Sequence, residues 1–404
     1  MRSPGKAMVD VSRRNNNYSL QFNRWFLMPI GAWPELPTSS VTERIIFKIL
    51  RLICHTLIAL TVVPSILYIL FEEKDVRLKL KAVGPTSHWL MGSINYCSLL
   101  YQKKQIGRSI DHMETDWQMA KKECDQRVML RNARVGRTIA VLCALIMQGG
   151  IFSYNVARGT SPLLVVIGNE TVAIGRLPCP SFNKIVDTRF SPVYEVVLAL
   201  QCLSAIVVNN TTVGACGLAA VFAMHACGQL SVVMSRLEEL DSKKEECHVV
   251  QRKLTNLVQR HLRALRFLSR MEIIMRQVCL VELLGCTFNL CMLGYYTITV
   301  CLKTTNTLIT YLIVLTSMMF NIFIFCYIGD LVTEQCKKVG EAAYMTNWYK
   351  LPRKTVLGLI LIILRSSIVI KITAGKIFHM SIPTFGDVIK TSVAYLNMLR
   401  TLTI

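Results

Sequence analysis

The stretch TFGDVIKTSVAYLNMLRTLTI, Thr384 to Ile404, decides how the rest of the chain is read. It is long enough to cross a bilayer, carries polar groups, and ends the sequence. Thr384 followed by Asp387 has the form of a capping-box start, just past the helix-hostile pair Ile382-Pro383. Val388, Ile389, Val393, Ala394, Leu396, Met398 and Leu399 are apolar enough to enter lipid. Asp387, Lys390, Thr391, Ser392 and Asn397 interrupt them, and polar groups at that depth are costly unless they face protein or water. Steps of three and four residues place Asp387, Thr391, Ala394 or Tyr395, Met398 and Leu402 on one face. A stripe that is polar at one end and closed by two large apolar side chains at the other can line a water-filled path with a hydrophobic gate. An ordinary last helix packing its polar face into a bundle is the alternative.

Working outward, 52% of the 404 residues are hydrophobic and 18% are charged, and the apolar residues come in long blocks. A bilayer core of ~30 Å needs about 20 mostly apolar helical residues. Blocks of that kind run about Ile45–Phe71, Ala82–Tyr101, Thr138–Val156, Val193–Gln229, Ile273–Val300 and Leu308–Val332, and the last helix makes seven. The second is the weakest, diluted by Gly84, Pro85, His88 and Asn95. Val356–Leu364 is intensely apolar but short, and reads as a helix buried in protein on the cytoplasmic side. The basic N-terminus lacks the short apolar core and cleavage site of a secretory signal, so the first span must drive insertion.

A net charge of +21 would suggest nucleic acid in a soluble protein, but its distribution points to a membrane and no nucleic acid. Lys and Arg crowd the N-terminal segment and the stretches Lys103–Arg137, Arg236–Arg276 and Lys337–Lys376. These hold about three times as many basic residues as the alternate connections plus the tail, the asymmetry of cytoplasmic loops. The N-terminus is then cytoplasmic and, after seven spans, the C-terminus extracellular, the reverse of a G-protein-coupled receptor. The sequon at Asn169 falls in the long outer loop, where glycosylation is possible. Those at Asn17, Asn209 and Asn210 fall on the cytoplasmic side or inside span four, and are expected to stay unmodified.

The expected fold is an all-α membrane protein of seven transmembrane helices with long cytoplasmic helical extensions. Its parts are a cytoplasmic N-terminal segment (1–44), spans one to six (45–332), an anchor region with a short inner helix (333–376), and a turn with the last helix (377–404). Leu254, Leu257, Val258, His261, Leu262, Leu265 and Leu268 repeat at three and four residues among arginines, so an amphipathic helix continues below span five. Small residues of span four, Gly214 to Ala223, permit close helix packing. Glu282 is an acid inside span five and is expected to have a polar partner, and His225 reads as a satisfied packing residue. Cysteines such as Cys54, Cys143, Cys216, Cys286 and Cys326 lie in spans as small packing groups, while Cys179 and Cys301 would meet an oxidising exterior and leave a bridge open. There is no metal-ligand spacing, nucleophile elbow, HExxH or phosphate-binding loop, so neither an enzyme nor a cofactor is expected.

The C-terminal third carries a recognisable order: Phe325-Cys326-Tyr327-Ile328-Gly329, Ala343-Tyr344, Trp348-Tyr349, Thr373-Ala374-Gly375-Lys376, Ser381, Thr384-Phe385, and the final helix through Tyr395. This resembles the insect odorant receptor family, and Ser392 to Arg400 is similar to hymenopteran members. The specific resemblance covers about Phe320–Thr401. It implies a subunit of a tetrameric, odorant-gated cation channel, working with a shared co-receptor and requiring no G protein. It also implies residence in the plasma membrane of olfactory sensory neurons. Each subunit's last helix would line a central pore, and cytoplasmic helices would join subunits. By position the gate falls on Met398 and Leu402, with Asp387, Thr391 and Ala394 along the path. Family pockets lie in the outer halves of spans two, three, four and six, which here include Trp89, Met147, Gln148, Ile151, Tyr154, Gln201, Ser204 and Tyr311. Few charges occur there, which suits an uncharged or long-chain apolar odorant or pheromone. Gly375 would supply a special backbone conformation before the last helix. A gustatory receptor of the same superfamily is the alternative. A G-protein-coupled receptor is disfavoured, because there is no Asp-Arg-Tyr after span three and no Asn-Pro-x-x-Tyr in span seven.

Overall fold

The computed structural model describes residues 4–35, 40–160, 163–167, 170–182, 187–188, 191–240, 247–300 and 305–403, without the side chains of 4–10, 163–167, 170–174, 247, 299–300, 305–307 and 402–403. Ten helices follow one another: α1 (Pro4–Leu27), α2 (Val41–Leu67), α3 (Val76–Tyr101), α4 (Lys103–Met119), α5 (Glu123–Thr160), α6 (Val193–Glu238), α7 (Cys247–Val300), α8 (Thr305–Met345), α9 (Arg353–Ser367) and α10 (Ile382–Thr403). Two short antiparallel hairpins depart from the all-helical expectation. One pairs β1 (Leu163–Ile167) with β2 (Glu170–Ile174) in the outer loop, and the other pairs β3 (Thr373–Ala374) with β4 (Phe378–His379) before α10.

Five helices, α2, α5, α6, α7 and α8, are long and apolar enough to cross a bilayer. The other two of the expected seven, α3 and α10, carry more polar groups and pack along α7. Local chemistry sets the ends. At α2, Glu43 N–H donates to Ser40 Oγ (3.2 Å) and Ser40 N–H to Glu43 Oε2 (3.1 Å), a reciprocal capping box. The outward side of α2, including Ile45, Ile49, Leu52 and Leu60, is exposed, as suits a lipid-facing surface.

Helix α6 is the axis of the bundle, with nearly every residue from Ser204 to Leu230 buried. A helix apolar all round belongs in a core. Its small residues admit α1 closely, since a Cβ on Gly214 would collide with Leu27 and one on Gly217 with Asn23. The N-terminal segment is therefore a helix docked deep against span four, and Tyr96 Oη donates to Ile30 O (2.7 Å) beyond its end. The end of this helix lies against span four, where Gly214 leaves room for Leu27.

The amphipathic repeat below span five belongs to one continuous α7. Leu254, Leu257, His261, Leu265 and Leu268 are buried, while Leu262 is exposed. Ion pairs lock this lower region. Asp116 holds His225 Nε2 (2.9 Å) and Arg263, and Asp125 holds Arg236 (2.8 Å) and Arg260 (3.4 Å). Burial would raise the Asp116 carboxyl, but the hydrogen bond from His225 and the further bond from Arg263 outweigh it and hold the group below its ordinary range.

Two expectations need correction. Helix α9 is only half buried. Thr355, Leu359, Ile362 and Ser366 face the protein, whereas Leu357, Ile360, Leu361 and Leu364 are exposed, because a helix apolar on every side finds only α7 and α8 within its own chain. Helix α10 starts at Ile382, not Thr384. Pro383 occupies the first turn, where its missing N–H costs nothing, and Thr384 N–H donates to Ser381 Oγ (3.4 Å). α8 runs unbroken past Val332, and the turn of the β3–β4 hairpin contains residues 376 and 377.

Candidate functional site

Two regions concern function: the outer half of the bundle and helix α10. In the outer half, α3 and α6 meet where Trp89 Nε1 donates to Ser204 Oγ (3.1 Å), both residues being buried. Met147, Ile151 and Tyr154 recur at three and four residues and share one face of α5, with Met147 and Tyr154 buried. Tyr311 on α8 lies 6.5 Å, ring to ring, from Tyr296 on α7. Tyr295 and Tyr296 form a small apolar cluster with Met292, and Leu80, Tyr311, Leu396 and Leu399 pack against it. This aromatic group touches both the outer half of the bundle and α10.

Much of the polarity expected to meet ligand is spent on protein. Gln201 Nε2 donates to Cys179 O (3.0 Å) and Gln201 Oε1 accepts from Cys179 N–H (3.0 Å). Tyr154 Oη donates to Pro178 O (2.9 Å), and Ser65 Oγ donates to Pro180 O (2.6 Å). The segment Pro178–Pro180 thus plugs the outer end between α2, α5 and α6, with Cys179 at its centre buried. Gln148 departs from the expected pocket. Its amide accepts from Asn209 (2.7 Å) and donates to Asn210 (2.7 Å), tying α5 to α6 on a different face from Tyr154. That burial also takes Asn209 and Asn210 out of reach of glycosylation. Asn169 and Cys301 lie outside the described residues, so the sequon and the bridge to Cys179 receive no structural account.

Deeper in the bundle, Glu282 on α7 is fully buried. Its carboxylate accepts from Asn95 Nδ2 on α3 (2.6 Å) and Asn321 Nδ2 on α8, and Asn321 Oδ1 accepts from Cys216 Sγ on α6 (3.1 Å). Four helices therefore share one polar knot. Sequence singled out Glu282 but not its partners. The available signal was two asparagines, Asn95 and Asn321, inside otherwise apolar spans.

On α10, Phe385, Val388, Ile389, Ser392, Leu396 and Leu399 turn toward the bundle, and Ser392 Oγ donates to Thr287 O (3.1 Å). Asp387, Thr391, Ala394 and Met398 are all exposed on the opposite side. The side chain of Leu402 lies outside the described ones. Before the helix, Gly375 and Lys376 adopt φ of +62° and +65°, and Ile377 N–H donates to Ala374 O (3.0 Å), a tight hairpin turn with left-handed φ at both central residues. A Cβ on Gly375 would also press on Leu280, so glycine answers two demands there.

A bundle with five helices long and apolar enough to cross a bilayer is the fold of a multi-pass membrane protein. Residues 75–393 match the family described as 7tm Odorant receptor, and the chain belongs to the insect odorant receptor family. Odorant receptor 10 of Aedes albopictus is 25% identical over 233 residues, 55% of this chain and 60% of that receptor. Odorant receptor 82a of Drosophila melanogaster is 24% identical over 272 residues, 66% and 67% of the two lengths. Similarity to these relatives thus spans three fifths to two thirds of their length. The olfactory receptor OR5 from Machilis hrabei shares the fold, with a TM-score of 0.77 over 95% of this chain and 99% of that one at 14% identity. Its complex with eugenol aligns at a TM-score of 0.75.

Proposed function

We propose that this chain is the ligand-recognising subunit of an odorant-gated cation channel that assembles with a co-receptor as a tetramer. The observation that carries this is the outward face of α10. Asp387, Thr391, Ala394 and Met398 are exposed on the side of α10 away from the bundle, and lipid would not tolerate Asp387 there. Water in a shared pore satisfies that face, with Met398 and Leu402 closing it. The exposed apolar side of α9 gives subunits a surface to bury against one another. The basic inner loops support a cytoplasmic N-terminus and an extracellular C-terminus.

The ligand site is the outer half of the bundle between α3, α5, α6 and α8, under the Pro178–Pro180 plug. Trp89, Met147, Ile151, Tyr154, Ser204 and Tyr311 are its candidate walls, and the related receptor solved with eugenol supports a small organic ligand. Ligand binding shifts the channel toward opening by favouring one bundle arrangement over the other. The test is whole-cell current in cells expressing the chain with and without a co-receptor, under an odorant panel. Tags at each terminus are read without permeabilisation. Ligand-evoked cation current and an accessible C-terminus are expected. An accessible N-terminus, or surface expression of the pair without current to any odorant, would overturn the reading.

A further inference from the structure

Arg158, at the outer end of α5, has no carboxylate partner among the described residues. Arg158 lies one turn beyond Tyr154 on the same face of α5, at the outer end of the stripe Met147–Ile151–Tyr154. Its Nε donates to Tyr154 Oη (3.3 Å), and its Cζ sits 5.4 Å from that ring's centre. Tyr311 and Tyr296 lie within electrostatic reach of the guanidinium. Among the described residues, no carboxylate is within ion-pair distance of Arg158, and neither Nη group makes a hydrogen bond to protein.

Arginine stays charged in proteins and presents a planar fork of donors. A part-buried guanidinium set over a tyrosine ring is partly compensated by cation–π attraction, but among the described residues no carboxylate fills its fork. An arginine that merely reached for solvent would turn outward. This one turns its Nε inward, to a tyrosine that is itself held by Pro178 O. The fork therefore stands where the plug, α5, α7 and α8 converge. Met147 and Ile151 continue inward from it as an apolar stripe.

We propose that Arg158 is a subsite for the carboxylate of a ligand with a hydrocarbon tail, the tail lying along Met147 and Ile151. The inference deepens the proposed function by naming a ligand class, and rests on its placement of the site. Bidentate pairing between guanidinium and carboxylate is strong and directional, and an ester of the same chain offers only a neutral acceptor. The tyrosine rings exclude water from the pair and raise its worth.

The experiment is a binding series on the purified full-length chain at neutral pH, read as ligand-induced thermal stabilisation. The probes are hexanoate, decanoate and hexadecanoate, each beside its methyl ester. At least one acid is expected to bind about 10- to 100-fold more tightly than its ester. Arg158→Gln should bring that ratio to about one, while Arg158→Lys, which keeps the charge without the fork, should retain part of it. A purely structural role for Arg158 would weaken acid and ester together and leave the ratio unchanged. The proposal is overturned if no acid exceeds its ester in the unmodified chain, or if Arg158→Gln leaves the ratio intact. Current recorded with a co-receptor separates the two claims. Acid-selective binding without any current sinks the channel reading alone, and current to neutral odorants without acid selectivity sinks the subsite alone.

Discussion

Glu282 offers the sharpest way to ask what holds the four central helices together. Its carboxylate accepts from Asn95 and Asn321, and no cation faces it among the described residues. Glu282→Ala removes the carboxylate that both amides donate to, leaves Asn321 only its long contact to Cys286 Sγ (3.8 Å) among the described residues, and opens a void between α3, α7 and α8. Each buried donor stranded this way costs about 1–3 kcal/mol, and the lost volume adds to it, so a penalty on the order of 3–5 kcal/mol is expected. Glu282→Gln should behave differently. Asn95 Oδ1 is buried with no hydrogen-bond partner, so rotating the Asn95 amide lets it accept from the new glutamine N–H while Asn321 still donates to the glutamine oxygen. The expected cost is about 1 kcal/mol or less. The assay is thermal unfolding of the purified receptor, followed by monodispersity in detergent, with surface expression alongside. A Glu282→Gln variant that falls as far as Glu282→Ala would refute the reasoning, for it would mean that the negative charge, and not the hydrogen-bond count, is what the bundle requires.

Met398→Ala should alter basal leak or relative cation permeability of the co-expressed channel without loss of surface protein. Unchanged permeation would remove α10 from the pore. Gly214→Leu should displace Leu27 and undock α1, at a cost of about 1–3 kcal/mol, seen as reduced thermal stability. Gln201→Leu should free the plug by removing both bonds to Cys179, and mass spectrometry should then find Cys179 far more open to maleimide. His261, beneath the membrane, is pushed down to about 4 by burial and by nearby Arg365, from an ordinary value of 6.5. The unfolded chain therefore binds the extra proton first. This contribution to stability is whole above about pH 6.5 and lost as pH falls toward 4, on the order of 3 kcal/mol in all. Melting temperature should drop across that window, and His261→Leu should flatten the slope.

Sequence reached the helices because membrane spans are written in composition: long apolar runs and charge asymmetry needed no knowledge of neighbours. The orientation of α10 was legible for the same reason, since steps of three and four fix which residues share a face. Contacts between distant residues were not. Gln148 and Gln201 stand in apolar surroundings just as ligand-binding amides would, and nothing local says that Asn209, Asn210 and the Cys179 backbone consume them. Arg158 could have been found from its spacing of four from Tyr154. That no carboxylate pairs with it among the described residues is visible only in three dimensions. The half-exposure of α9 was hidden too, because burial depends on how many chains share the surface.

The placement of the aromatic cluster carries the channel proposal one step further. Tyr295 and Tyr296 share an apolar cluster with Leu396 and Leu399, on the bundle-facing side of α10, while Met398 lies on the opposite side of the same helix. Gly294 lets α7 approach Leu396 closely, with a Cβ there only 3.3 Å from it. Below that contact α10 is held twice, by Asp330 Oδ2 accepting from Ile382 N–H (2.8 Å) and by Ser392 Oγ donating to Thr287 O (3.1 Å). Toward the proposed gate, Leu396 and Leu399 pack against the aromatic cluster. On the proposed reading, a ligand that repacks Tyr296 and Tyr311 acts on α10 through Leu396 and Leu399. Shortening Leu396 to alanine should then weaken ligand-evoked opening while leaving ligand-induced thermal stabilisation in place, and equal loss of both would place Leu396 in the ligand site instead.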